Sequence, residues 1–198
     1  MIEAWFPTPI YISQLEGDTL SSVQDELLPA YRKIKDKMVK NPRWERDNHS
    51  ISDVSFDSNF LLDNSCQQSL DIFGQHIVTF LRELGLDEKL APQIFIKSSW
   101  ATQTKRHEYA RLHDHGASDM SGVYYLQTNS EDGNFYFKSP NTILTQTYIA
   151  QKVTDERDIV PEVGKIILWP GYLQHGTRVN NTEHERVSIS FNVTIQRG

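Results

Sequence analysis

The chain has 198 residues, and its 20 lysines and arginines against 26 aspartates and glutamates leave a formal charge of −6. That balance disfavours nonspecific contact with nucleic acid, which needs clustered cations, and the single cysteine, Cys66, excludes an internal disulfide or a thiolate zinc cluster. No apolar run approaches the roughly 20 residues of a membrane helix, and Met1–Leu15 lacks the layout of a secretory signal.

Thr19–Lys40 is expected to be helical, because Leu20, Val23, Leu27, Tyr31, Ile34 and Met38 recur every three or four residues. Pro29 falls inside that run as a kink or a restart. Lys33, Lys35, Lys37 and Lys40 would scatter over its solvated side. Asn41–Leu62 is polar and irregular, with strand-like pieces such as Ile51–Phe56. A second helix is expected from Asn64 or Ser65 to Leu84, with Gly85 placed as its C-terminal cap. Its stripe is Leu70, Phe73, Ile77, Phe80, Leu81 and Leu84.

From Gln93 the pattern alternates. Strands are expected at Ile94–Thr102, Tyr109–His115, Gly122–Gln127, Phe135–Lys138, Ile143–Ala150, Lys165–Trp169 and Arg186–Ile195. The turns between them (Asp132-Gly133, Ser139-Pro140, Pro170-Gly171, Asn180-Asn181) favour a sandwich or small barrel over a βαβ sheet. The expectation is one domain, mainly β with flanking helices. Residues 1–92 would supply an N-terminal strand and packing helices, and residues 93–198 an antiparallel jelly-roll core.

The last strand is the most regular piece. Val187, Ile189, Phe191, Val193 and Ile195 alternate with Arg186, Ser188, Ser190, Asn192 and Thr194, so one face is apolar and the other polar. Such a strand has either one face in water or a polar face that lines a cavity; periodicity does not separate the two.

Of the seven histidines, three are placed to act together. In His113-Asp114-His115, residues i and i+2 share one side of an extended chain, so both imidazoles can reach one metal ion while Asp114 points away. Imidazole suits iron, zinc, copper or nickel rather than magnesium or calcium. His175 follows an aromatic turn about sixty residues later and can supply a third corner. Arg186 and Ser188 begin the polar-faced strand and could bind a carboxylate, if that strand lies beside the His175 strand. A surface arginine paired with Glu183 or Glu185 is the plainer alternative. His49, His76, His107 and His184 have no comparable setting.

The order HxH, Ser121–Leu126, Asp132–Phe137, Gly164–Pro170, His175 and Arg186-Val187-Ser188 resembles the Fe(II)/2-oxoglutarate-dependent oxygenases. The likeness is greatest to the small oxygenases of marine bacteria and phages, and more distant to prolyl hydroxylases. It spans almost the whole chain, from Trp5-Phe6-Pro7-Thr8-Pro9-Ile10 through Trp100 to Ser188–Asn192.

The resemblance implies a double-stranded β-helix, cupin-like core and a set of roles. His113 and His175 would be iron-binding histidines, Arg186 would hold the distal carboxylate of 2-oxoglutarate with Ser188 beside it, and Tyr125 would hydrogen-bond the same group. One departure stands out: the family has His-x-Asp or His-x-Glu, and here His115 takes the carboxylate position, with Asp114 as the alternative third ligand. Three imidazoles make a less negative site. The implied reaction couples decarboxylation of 2-oxoglutarate to oxidation of a small-molecule or peptidyl substrate by O2. Tyr109, Tyr124, Tyr136, Trp169 and Tyr172 are candidates for the pocket wall or for plain core and rim. The N-terminal helices would cover the barrel or form a homodimer, and the expected setting is the cytoplasm of a bacterium or phage-infected host. Two rival readings are a three-histidine cupin-like dioxygenase or isomerase that does not use 2-oxoglutarate, and a non-catalytic jelly-roll binding module.

Overall fold

The structure is a computed structural model that describes residues 7–40, 49–52, 58–86, 93–116, 118–141, 148 and 155–196. The strand expected at Ile143–Ala150, Tyr148 apart, and the Trp5-Phe6 pair lie outside these residues.

Strand β1 (Tyr11–Gln14) leads into helix α1 (Gly17–Ile34), a 3-10 turn at Lys35–Lys37 and strand β2 (Val39–Lys40). Helix α1 continues past Pro29 without a break. Burial of Val23, Leu27, Ala30 and Tyr31 on its inner face outweighs the one backbone hydrogen bond that proline removes. The helix stops six residues short of the expected end, because the chain tightens and then extends into β2. Strand β3 (Ser50–Ile51) and a single turn, α2 (Phe60–Asp63), precede helix α3 (Gln67–Glu83).

Helix α3 begins at Cys66, which caps nothing through its side chain. Its first amides are capped in trans: Glu26 of α1 accepts from Gln68 N (3.1 Å), Ser69 N (2.7 Å) and the Ser69 hydroxyl (2.6 Å). The far end closes as expected. Gly85 takes φ +77°, Leu86 N donates to Leu81 O at 3.0 Å and Gly85 N to Arg82 O at 2.9 Å, the paired bonds of a glycine-terminated helix.

The remaining strands are β4 (Ile94–Thr104), β5 (Met120–Gln127), β6 (Phe135–Lys138), β7 (Glu156–Ile159), β8 (Lys165–Pro170), β9 (His175–Thr177) and β10 (Arg186–Ile195). The described strands form a larger antiparallel sheet ordered β1-β8-β5-β10-β4-β3-β2 and a smaller one ordered β7-β6-β9. Hence β10 sits between β4 and β5, and β9 belongs to the other sheet. Arg186 and His175 are therefore not on neighbouring strands, contrary to the simplest reading of their spacing.

Two apolar clusters follow from this layering. Helices α1 and α3 cover the outer face of the larger sheet, where Phe73 stacks on Phe191 (ring centroids 5.2 Å apart) beside Tyr124, Leu168 and Ile189. Gly122 makes room there, since a Cβ on it would lie 2.3 Å from Phe191 Cζ. Between the sheets lies the second cluster, with Val123, Tyr125, Phe135, Phe137, Ile167 and Trp169. None of the described helices is long and apolar enough to cross a membrane.

Candidate metal centre

The two faces of β10 divide these regions. Val187, Ile189, Phe191 and Val193 join the helix-side core, and Arg186, Ser188 and Ser190 line a cavity between the sheets. The cavity reading of the polar face is the one realised. Pairing sets its floor in rows: Arg186 lies opposite Thr104, Ser188 between Thr102 and Tyr125, Ser190 between Trp100 and Val123, and Asn192 between Ser98 and Ser121.

At one end of this floor His113, His115 and His175 converge, with ligand atoms all within 4.8 Å of one another. His113 and His175 form an antiparallel bridge, each backbone N donating to the other's carbonyl (2.9 and 2.8 Å). The expected strand at Tyr109–His115 is not regular. Backbone bonds to the His175–Asn180 stretch are made at His107, Glu108, Ala110 and His113, too unevenly spaced for a ladder. The HxH geometry survives, because His115 N donates to Gly171 O (2.8 Å) and so ties the segment to the β8–β9 turn.

Each ring spends its Nδ1–H away from the centre. His113 donates to Arg111 O (2.6 Å), His175 to Leu173 O (2.9 Å) and His115 to Asn192 Oδ1 (2.5 Å). That tautomer leaves the Nε2 lone pair for an ion, the arrangement that metal-binding histidines require. Burial, reinforced by the neighbouring His113, lowers the His115 pKa to about 4, and burial pushes His175 well below the usual range. Both rings are therefore neutral at physiological pH. His115 Nε2 is buried without a hydrogen-bond partner. Asp114 is exposed, and its Oδ1 accepts from Gly116 N at 3.2 Å, turned away from the cluster.

The other end of the floor is cationic. Arg186 is 2 % exposed; its Nη1 donates to Asp132 O (2.7 Å) and Gly133 O, and its Nη2 to Thr104 Oγ1 (3.3 Å). It has no carboxylate partner among the described residues, so the surface pair with Glu183 or Glu185 is not formed. Glu183 instead contacts Arg106, and Glu185 faces the helix side, accepting from Tyr31 (2.7 Å) and Gln103 (2.6 Å). The Tyr125 hydroxyl and Trp169 Nε1 are buried beside the same cavity with no partner. Such orphaned donors carry a free-energy cost that a bound anion would relieve.

Of the aromatic candidates, Trp169 lines the cavity. Tyr124 faces the helices, Tyr136 stacks under the Arg178 guanidinium (3.9 Å) outside it, and Tyr172 is 57 % exposed. Tyr109 is half-buried and is not part of the lining. Several participants were given no role by the sequence. His49 is buried and lines the cavity, and Thr104 and Asp132 hold Arg186. Asn192 was visible only as one member of the alternating polar face.

The three-imidazole cluster, the buried guanidinium and the orphaned donors are a donor set that fits a divalent transition metal with a carboxylate-bearing molecule beside it. Comparison with known proteins agrees. Residues 98–192 match the family described as "Putative 2OG-Fe(II) oxygenase". This part of the chain belongs to the 2OG-Fe(II) oxygenases. The match takes in all three histidines, Tyr125, Arg186 and Ser188.

The oxygenase has the double-stranded β-helix fold of its structural neighbours. A Pseudomonas putida prolyl-4-hydroxylase superposes with a TM-score of 0.61 at 14% identity, covering 96% of this chain and 94% of the other. SnoN, an epimerase dependent on alpha-ketoglutarate from nogalamycin biosynthesis, gives 0.67 at 10% identity, covering 95% and 78%. HygX from Streptomyces hygroscopicus, seen with nickel, 2-oxoglutarate and hygromycin B, gives 0.56 at 14% identity, covering 96% and 84%. No curated protein sequence matches the chain. The protein is thus an Fe(II)- and 2-oxoglutarate-dependent oxidoreductase that uses O2 and a further substrate. The family match favours this reading over the rival cupin-like and non-catalytic ones.

Proposed function

We propose that His113, His115 and His175 hold Fe(II) through their Nε2 atoms, and that Arg186, Ser188 and Tyr125 seat the distal carboxylate of 2-oxoglutarate for hydroxylation of a small-molecule or peptidyl substrate. The observation that carries this reading is the buried, unpartnered His115 Nε2 inside a cluster of three imidazoles. With O2, bound iron and 2-oxoglutarate would supply the oxidising chemistry: one oxygen atom goes to the cosubstrate, which loses CO2 to become succinate, and the other goes to the substrate.

The chain's own residues bind, orient and exclude water. Neutral imidazoles leave the metal's charge uncompensated, and Arg186 adds a buried cation, so the cavity favours a dianion. The Tyr125 hydroxyl, with its pKa raised by burial, stays protonated and donates to a carboxylate. Its Cα lies opposite Ser188, and both side chains line the cavity that Arg186 enters. Phe135 and Trp169 flank His175 (ring centroids 5.4 and 4.6 Å) and keep that side of the centre dry. The acidic net charge keeps nucleic acid outside the proposed substrate classes.

The test is anaerobic titration of Fe(II)-loaded protein with 2-oxoglutarate, followed by the visible metal-to-ligand charge-transfer band. The band is expected for the wild type; bound iron with no band would reject the cosubstrate site. Substituting His115→Ala should abolish iron binding and Asp114→Ala should not; the reverse pattern would make Asp114 the third ligand.

A further inference from the structure

Arg186 reaches the cavity from a small, closed network of its own. The Asp132 carboxylate is fully buried and accepts from the Thr128 hydroxyl (2.6 Å), Asn129 N (3.0 Å) and His184 Nδ1 (2.9 Å). These bonds lock the turn between β5 and β6. The carbonyls of Asp132 and Gly133 both point from that turn at Arg186 Nη1. Gly133 permits the approach: its φ is +96°, and a Cβ would lie 2.3 Å from Arg178 O and 3.1 Å from Arg186 Nη1.

The loop that carries His184 is tied down as well. Asn180 donates to Thr104 O (3.2 Å) and His184 O (2.7 Å), and accepts from Thr182 N at 2.9 Å. Three acceptors, two carbonyls and the Thr104 hydroxyl, thus fix the plane of the guanidinium before any ligand arrives.

The placement of the buried Asp132 carboxylate is informative. A carboxylate in direct contact with Arg186 would occupy the donors that a ligand needs. Asp132 meets Arg186 through its backbone carbonyl instead, and its carboxylate is held by Thr128, Asn129 and His184, so its charge offsets that of the buried guanidinium without taking those donors.

We propose that Asp132 is a positioning residue for the anionic cosubstrate: it pins the turn whose carbonyls aim Arg186 at the cavity. This rests on the assignment of Arg186 to the 2-oxoglutarate carboxylate. Removing the Asp132 carboxylate releases the turn, frees the guanidinium to swing, and weakens carboxylate binding without touching the histidine cluster. Outer contacts that orient a metal ligand are worth about 10- to 100-fold, and a loss at the low end of that range is expected here.

The experiment measures 2-oxoglutarate affinity by calorimetry on full-length protein loaded with Co(II), alongside Co(II) affinity and the melting temperature. Asp132→Ala should weaken 2-oxoglutarate binding at least about tenfold and leave Co(II) affinity within about twofold. Asp132→Asn keeps one acceptor for Thr128 and should fall between that variant and wild type. Should Asp132→Ala fail to fold, His184→Ala removes one of the three donors that hold the carboxylate, and a severalfold weakening is expected. Arg186→Ala separates the carboxylate-binding role of Arg186 from the positioning role of Asp132. If it binds 2-oxoglutarate as wild type does, the underlying assignment fails. If it loses binding while the Asp132 and His184 variants retain wild-type affinity, the positioning role is overturned. Equal losses of Co(II) and 2-oxoglutarate in Asp132→Ala would likewise overturn it in favour of a general structural role.

Discussion

His113 and His175 are joined by a closed pair of backbone hydrogen bonds, His113 N to His175 O at 2.9 Å and His175 N to His113 O at 2.8 Å. The link spans 62 residues of sequence and holds the two rings with centroids 4.4 Å apart. His115 is fixed differently, through a side chain. Its Nδ1–H is shared between Asn192 Oδ1 (2.5 Å) and Ser121 Oγ (3.1 Å), and Ser121 donates in turn to the same Asn192 oxygen (3.0 Å).

The centre should therefore be most sensitive, among its supporting residues, at Asn192. Replacing Asn192 by Leu removes the acceptor that sets the His115 tautomer and is expected to weaken Co(II) binding about 10- to 100-fold. Calorimetric titration of the metal-free protein measures this; a wild-type dissociation constant would show that Ser121 alone orients the ring.

Gly122 carries no side chain at the tightest point of the helix-side core. Gly122→Ala would place a methyl 2.3 Å from Phe191 Cζ and 2.7 Å from Leu168 Cδ2, both buried. Such overpacking should destabilise the fold by about 1–3 kcal/mol in urea unfolding. Unchanged stability would mean that Phe191 can rotate away at no cost.

The trans cap on α3 should also be measurable. Glu26→Ala leaves the amides of Gln68 and Ser69 without their acceptor, and the loss expected is about 1–2 kcal/mol. Glu26→Gln retains an acceptor without the charge and should cost less.

Histidine burial makes the metal-free protein sensitive to acid. Burial lowers the pKa of His76, whose Nδ1 is hydrogen-bonded to the Tyr11 hydroxyl at 2.8 Å. In the unfolded chain this group takes up a proton as pH falls through its ordinary value of 6.5. The folded state resists that proton, so the unfolded state binds more protons below this pH and stability declines as pH falls. His115 and His175 act in the same sense when no metal is bound. The melting temperature of the metal-free protein should drop below about pH 6.5, and His76→Gln should flatten part of the slope. A flat profile in wild type would contradict the burial of these rings.

The strands whose sequence alternates were legible in advance: β6 and β10 have the expected boundaries, and β10 also displays both its faces. The three histidines and Arg186 could be picked out by type and order. What could not be read was anything set by long-range backbone pairing. Nothing local marks β9 as the partner of β6 rather than of β10, because a three-residue strand has no period to detect. Short β7 escaped for the same reason. The role of Asp132 was hidden in a Asp-Gly turn whose carbonyl directions depend on contacts with residues some fifty positions away. Trans-capping of α3 by Glu26 is invisible until the helices are packed.

One strand, β10, is at once the wall of the reaction chamber and the wall of the hydrophobic core. A single-residue insertion or deletion in it would turn serines toward Phe73 and phenylalanine toward the metal ligands, destroying both compartments together. A substitution, by contrast, changes one face and leaves the other in place. Thermal damage has no such choice: once the helices lift from β10, the chamber loses its back wall, and chemistry and fold fail at the same temperature.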